Sequence, residues 1–87
     1  MAVIVLPRSL VALFPGADRR VMMEGRSVRE LIDGLDVRWP GMRDRLCDPG
    51  PVIREYINVF VDGESADLSS AVADQTVVQI LLAVAGG

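Results

Sequence analysis

The chain has 87 residues, of which 51% are hydrophobic and 24% are charged, and its formal net charge is -3. This length supports one hydrophobic core, and the composition is that of a globular protein and not of a disordered one. The negative charge argues against nucleic acid and anionic membrane surfaces as partners, because binding to either needs a positively charged protein surface. With one cysteine and no histidine, disulfide scaffolds, histidine-based catalysis and the usual zinc sites are excluded.

The basic residues and the single cysteine give further information about function. All nine basic residues are arginine, so no side chain carries an amine to which another protein could be joined. Cys47 is interpreted as a small packed side chain, and a reactive or persulfide-forming thiol is the alternative.

No basic leader precedes the first apolar run, and residues 80–85 are too short an apolar run to span a bilayer, so we expect a cytoplasmic protein.

The first quarter of the chain predicts a β-hairpin. Residues 2–6 are apolar and partly β-branched, and Pro7 follows them, which indicates a short strand. Residues 8–18 contain Pro15-Gly16 and are predicted to form a loop. Residues 19–23 then return as the second strand.

A helix is predicted next, beginning at the capping box Ser27-Val28-Arg29-Glu30. In this motif the serine side chain accepts a hydrogen bond from the amide three residues on, and the glutamate reaches back. Apolar residues then recur at the spacing of one buried helical face, at Val28, Leu31, Ile32, Leu35 and Trp39. Pro40-Gly41 ends this helix, and Gly34 inside it is interpreted as tolerated rather than as a point of close approach. Residues 42–47 are expected to add a short helical turn.

The second half of the chain predicts three more strands. Residues 56–61 alternate between apolar and polar side chains, and Asp62-Gly63 after them is a strong hairpin-turn signal. Residues 64–66 would form a short strand, and residues 76–84 the last strand. The core face of the last strand is predicted to carry Val78, Ile80 and Leu82.

The order β-β-α-β-β-β describes an α+β fold of the β-grasp, or ubiquitin-like, type, a mixed sheet with one main helix packed on one face. Residues 1–82 are predicted to form this domain, and residues 83–87 a flexible tail that ends in Gly86-Gly87. Because glycine has no Cβ atom, such a thread fits a narrow channel in another protein. Its terminal carboxylate is ionised at neutral pH and can attack an activated phosphate there.

An apolar patch is predicted on the sheet face that the helix leaves uncovered. If Val3 and Val5 face the core, Ile4 points outward, and the same alternation turns Phe60 and Leu81 outward. These three side chains would lie beside the tail and form a docking surface. Scattered surface hydrophobic residues are the alternative interpretation.

Three motifs, in this order along the chain, resemble the MoaD/ThiS family of sulfur carriers, ubiquitin-like proteins that end in Gly-Gly. They are Ser27-Val28-Arg29-Glu30-Leu31-Ile32 with Trp39-Pro40-Gly41, then Tyr56-Ile57-Asn58-Val59-Phe60-Val61-Asp62-Gly63-Glu64, and finally Ala83-Val84-Ala85-Gly86-Gly87. The chain length and the Ala-Val-Ala-Gly-Gly ending are most similar to the small subunit of molybdopterin synthase and to the carrier used in cysteine synthesis.

The resemblance implies a carrier that is not itself an enzyme and binds no cofactor. A ubiquitin-activating-like enzyme would use ATP to adenylate Gly87, which would then become a thiocarboxylate and donate its sulfur to an acceptor enzyme. The acceptor would be the molybdopterin synthase large subunit or an enzyme of the cysteine synthase type. Gly86 and the segment Ala83-Val84-Ala85 would thread into both partners, and Ile4, Phe60 and Leu81 would contact them.

Three other functions remain open at this point. The chain would complete an active site in trans if it were the small subunit of a stable molybdopterin synthase complex. It would be a protein modifier if Gly87 became attached to lysines of other proteins. It would be a plain interaction module if its Gly-Gly ending had no chemical role.

Overall fold

Seven strands and three helices make up residues 1–83, the part of the chain that the computed structural model describes. In chain order they are β1 (Ala2–Val5), α1 (Arg8–Val11), β2 (Arg20–Met23), α2 (Val28–Arg38), α3 (Met42–Leu46), β3 (Cys47–Asp48), β4 (Val52–Ile53), β5 (Ile57–Val61), β6 (Glu64–Ala66) and β7 (Val77–Leu82).

Five of these strands form one mixed sheet in the order β2-β1-β7-β5-β6. β1 and β7 lie parallel at its centre, and every other neighbouring pair is antiparallel. The strand that leads to the C-terminal tail is therefore paired along both of its edges. The predicted β-grasp fold is confirmed, with α2 as its main helix.

The capping box places the start of α2 where it was predicted. The Ser27 hydroxyl accepts a hydrogen bond from the Glu30 amide at 3.2 Å, which satisfies a donor that has no partner within the helix. The Glu30 carboxylate accepts from the Arg26 amide at 3.3 Å, one residue earlier than the reciprocal bond of an ideal capping box. The helix then buries its apolar stripe, which comprises Val28, Leu31, Ile32 and Leu35.

The Asp62-Gly63 turn between β5 and β6 is also confirmed. Both residues have positive φ, 47° and 87°, the conformation that a two-residue hairpin requires. The Asp62 carboxylate accepts a hydrogen bond from the Val77 amide at 2.9 Å, and the Asp62 amide donates to the Val77 carbonyl at 2.9 Å. The turn therefore holds the first residue of β7.

The loop predicted for residues 8–18 is partly wrong, because it contains the helical turn α1, whose Leu10 is buried in the core. The β3–β4 hairpin was not predicted either, since each strand has two residues and shows no alternation. The short helical segment expected over residues 42–47 is present as α3. These three elements connect the parts of the β-grasp frame.

The outward orientation predicted for Ile4 is wrong. Its side chain is 0% exposed and lies in a row of the core between Val21 on β2 and Val78 on β7. All of residues 2–6 are apolar, so alternation alone leaves two equivalent choices for the buried set. Val3 and Val5 take the opposite sheet face.

The interpretation of Gly34 as merely tolerated is also wrong. A Cβ atom built at this position would lie 2.7 Å from Sδ of Met23 on β2, which is closer than side chains approach one another. Met23 is itself buried in the core. The glycine therefore allows α2 to lie close against the sheet at this point.

Candidate functional site

The candidate site begins where β7 leaves the sheet. Val78 and Ile80 are buried on the helix side of this strand, whereas Leu81 points to the other side and is 42% exposed. Ala83 has left the strand, but its amide still donates a hydrogen bond to the Tyr56 carbonyl at 2.8 Å. The backbone is therefore held in place as far as Ala83.

The tail residues predicted to carry the chemistry, Val84, Ala85, Gly86 and Gly87, lie outside the described residues. Their roles stay predictions that rest on the sequence. Ala83 is exposed at the end of the described chain. Whatever binds the tail must therefore approach the end of β7.

We use the name open face for the side of the sheet opposite α2. One row of paired residues crosses all five strands on this face, comprising Arg20, Val5, Gln79, Phe60 and Ser65. A second row places Val3 between Met22 and Val77, and a third pairs Leu81 with Asn58 beside the tail. A largely apolar surface with a few amides, bordered by Arg20 on β2 and Ser65 on β6, therefore reaches the end of β7.

The open face retains two of the three apolar residues that the sequence assigned to it. Leu81 is exposed and Phe60 is partly exposed, so their predicted outward orientation is confirmed. Ile4 is replaced by its neighbours Val3 and Val5, both partly exposed. The contacts of all these residues with a partner remain a prediction.

The helix side of the same strand end differs from the prediction. Leu82 was assigned to the core together with Val78 and Ile80, but it is 38% exposed. It borders a cavity of about 150 Å³ that is lined in part by Leu13 and Tyr56. No pattern in the sequence indicates this cavity, because its walls come from segments that are distant along the chain.

Within residues 1–83 the ionisable groups form no recognisable catalytic set, and the shifted pKa values have structural causes. Burial raises the pKa of the Cys47 thiol, against the opposing charge of Arg43, which keeps the sulfur protonated and supports its interpretation as a packed side chain. A hydrogen bond from the Arg43 guanidinium to Asp33, 2.7 Å long, raises the pKa of Arg43. Among the described residues, no three acidic, cysteine or histidine side chains lie close enough to hold a metal ion together.

A mixed sheet of this strand order with one main helix on one face defines a ubiquitin-like β-grasp protein. The model of the ThiS family matches residues 5–87, and the chain belongs to this family. The sulfur carrier protein CysO of Mycobacterium tuberculosis is 33% identical to it over 78 residues, which cover 83% of this chain and 84% of the relative. These findings support a sulfur-carrier role, as a protein carrier and not as a catalyst.

Solved structures agree with this assignment. A chain in the crystal structure of the Amycolatopsis orientalis BexX/CysO complex superposes with a TM-score of 0.87 and 30% identity, over 100% of both chains. The small archaeal modifier protein SAMP1 of Haloferax volcanii superposes with a TM-score of 0.76 and 26% identity, over 99% of this chain and 98% of that one. Within residues 1–83, no helix has the length and apolar character needed to cross a bilayer.

Proposed function

We propose that the protein carries sulfur on the carboxyl group of Gly87. A carboxylate oxygen attacks the α-phosphorus of ATP in an activating enzyme, and pyrophosphate leaves. Sulfide, as HS⁻, then attacks the acyl carbon of the resulting adenylate, AMP leaves, and loss of the S–H proton gives a thiocarboxylate. The observation that carries this proposal is that the ThiS family match extends through Gly86 to Gly87, so the Gly-Gly end lies within the matched region.

The open face is the proposed docking surface for the activating enzyme. Val5, Phe60 and Leu81 present apolar side chains there, while Gln79 and Asn58 offer amides that can form hydrogen bonds. This surface reaches the root of the tail, so an enzyme bound to it lies beside the thread that it must receive. Because ATP is needed, we place the protein in the cytoplasm.

An acceptor of the cysteine synthase type is the proposed receiver of the sulfur. The similarity to the CysO sulfur carriers, which extends over most of both chains, supports this choice over the molybdopterin synthase large subunit. Protein modification is a second candidate, which the similarity to a small archaeal modifier protein favours. Adducts in which Gly87 is joined to lysines of other proteins would identify this second function.

Intact-mass spectrometry tests the carrier chemistry. The protein from its native cells, incubated with the activating enzyme, ATP and sulfide, should gain about 16 Da as one oxygen is replaced by sulfur. A variant without Gly86 and Gly87 should fold equally well and gain nothing. An unchanged wild-type mass, with no ATP-dependent adenylate formed, would contradict the proposal.

A further inference from the structure

A second apolar surface lies at the root of the tail, on the side of β7 that faces away from the open face. The cavity of about 150 Å³ described above is rimmed by Leu13, Tyr56 and Leu82, which are 51%, 50% and 38% exposed. Arg45 on α3 lines the same cavity. We call these four residues the helix-side groove.

The groove and the open face lie on opposite sides of β7. Leu81 and Leu82 are consecutive in one strand, so their side chains point to opposite sides of the sheet. Tyr56 belongs to the groove through its side chain, and its carbonyl holds the Ala83 amide at 2.8 Å. A protein that binds the open face therefore leaves the groove accessible, and one that binds the groove still lies beside the tail.

The groove is built largely by connections and not by the β-grasp frame. Leu13 follows the helical turn α1, Arg45 belongs to α3, and Tyr56 precedes β5. Connections of this kind vary among proteins that share a scaffold and carry much of their binding specificity. Activation of a carboxylate by ATP is the same chemistry for every such carrier, whereas delivery of the sulfur differs between pathways. A surface made of connections is therefore suited to selecting the acceptor.

We propose that the helix-side groove docks the sulfur-acceptor enzyme. This inference rests on the proposed function and adds the surface that selects the partner of its second step. The acceptor would insert an apolar side chain between Leu13 and Tyr56 and place a carboxylate against Arg45, which forms no ion pair within residues 1–83. Because the groove includes Leu82, at the root of the tail, an acceptor bound in the groove also lies where the tail would enter it.

Site-specific photo-crosslinking in the native cells identifies what covers the groove. Benzoylphenylalanine is placed at Leu13, and as a matched control at Val37, which is 84% exposed on α2 and does not line the groove. Irradiation should capture from position 13, and not from position 37, a protein that consumes the thiocarboxylate form in a purified assay. Capture of the ATP-dependent activating enzyme from position 13, or no capture beyond that at position 37, would overturn the proposal.

Kinetics with the captured enzyme give the second test. Leu13→Ser and Arg45→Glu should each lower kcat/KM for sulfur transfer by about tenfold or more, and should change ATP-dependent adenylation by less than about twofold. Val37→Ser should change neither rate. Equal losses in both steps, or unchanged transfer, would refute the assignment of the groove to the acceptor. If the wild-type protein never gains the 16 Da, the carrier function itself fails, which is a different result.

Discussion

Ile4 and Val5 are neighbours on β1, but the structure predicts opposite consequences for their truncation. The Ile4 side chain is fully buried between Val21 and Val78, whereas Val5 lies on the open face beside Gln79. Ile4→Ala should therefore reduce the free energy of unfolding, and Val5→Ala should mainly weaken docking of the activating enzyme.

The expected magnitudes follow from burial. Truncating a fully buried isoleucine to alanine costs about 2–5 kcal/mol, and for a domain of this size that lowers Tm by roughly 8–40 °C. Val5→Ala removes two methyl groups that already contact water in part, so its cost should stay below about 1 kcal/mol and its Tm should fall by less than about 8 °C. The lost apolar contact should nevertheless reduce kcat/KM for adenylation several-fold.

Thermal unfolding followed by circular dichroism and ATP–pyrophosphate exchange with the activating enzyme measure the two effects separately. Ile4→Val, which costs only about 0.5–1.5 kcal/mol, keeps the protein folded and should leave adenylation unchanged. Similar Tm losses for Ile4→Ala and Val5→Ala would refute the assignment of the two residues to opposite faces. Impaired adenylation by folded Ile4→Val would refute the assignment of docking to Val5 and its face.

Three further predictions concern the frame that carries the site. Ser27→Ala removes the hydroxyl that caps α2 and should cost about 1 kcal/mol in urea unfolding, whereas Ser27→Asp, which keeps an acceptor, should stay near the wild-type value. Gly34→Ala should destabilise the protein by about 1–3 kcal/mol, because the new Cβ atom clashes with Met23. In a Met23→Ala background the same change should stabilise it by up to about 1 kcal/mol, because alanine has the higher helix propensity. An effect of the same sign in both backgrounds would contradict this assignment. Hydrogen bonds to the Asp67 carboxylate, chiefly from Ser69, lower its pKa, so their stabilisation is present above the unfolded pKa and is lost as pH falls through the folded pKa. Asp67→Asn should therefore destabilise at neutral pH and approach wild type in acid, and an equal loss at both pH values would contradict the assignment.

Local chemistry made some parts of the fold predictable from the sequence. A serine three residues before a glutamate caps a helix through bonds within one turn, and aspartate and glycine both tolerate the positive φ that a two-residue hairpin turn needs. Which side chains of β1 face the core was not predictable in this way, because all residues of this strand are apolar. Parallel pairing with β7, more than 70 residues later, decides that Ile4 faces the core.

The candidate site shows the same division. The outward orientation of Leu81 and Phe60 could be predicted from alternation, because their strands contain a polar residue, such as Gln79, that marks the exposed side. The helix-side groove had no such marker, because Leu13 and Tyr56 lie in connections where no periodicity applies. The chemistry of the tail was inferred from the family resemblance and stays a prediction, although the family match itself extends through Gly87.

The position of β7 limits how the carrier meets its partners. β1 pairs with the strand as far as Gln79 and β5 pairs with it as far as Leu82, so residues up to Leu82 cannot be drawn out without opening the sheet. The four residues after Ala83 span at most about 14 Å when fully extended, and release of the Ala83 amide from Tyr56 adds roughly one residue to this reach. Under the proposed function, the reacting atoms of the activating and acceptor enzymes therefore lie within roughly 14–17 Å of the end of the sheet. The two proposed docking surfaces, the open face and the helix-side groove, both reach this end of the sheet, and a contact much farther away would hold an enzyme beyond the reach of Gly87.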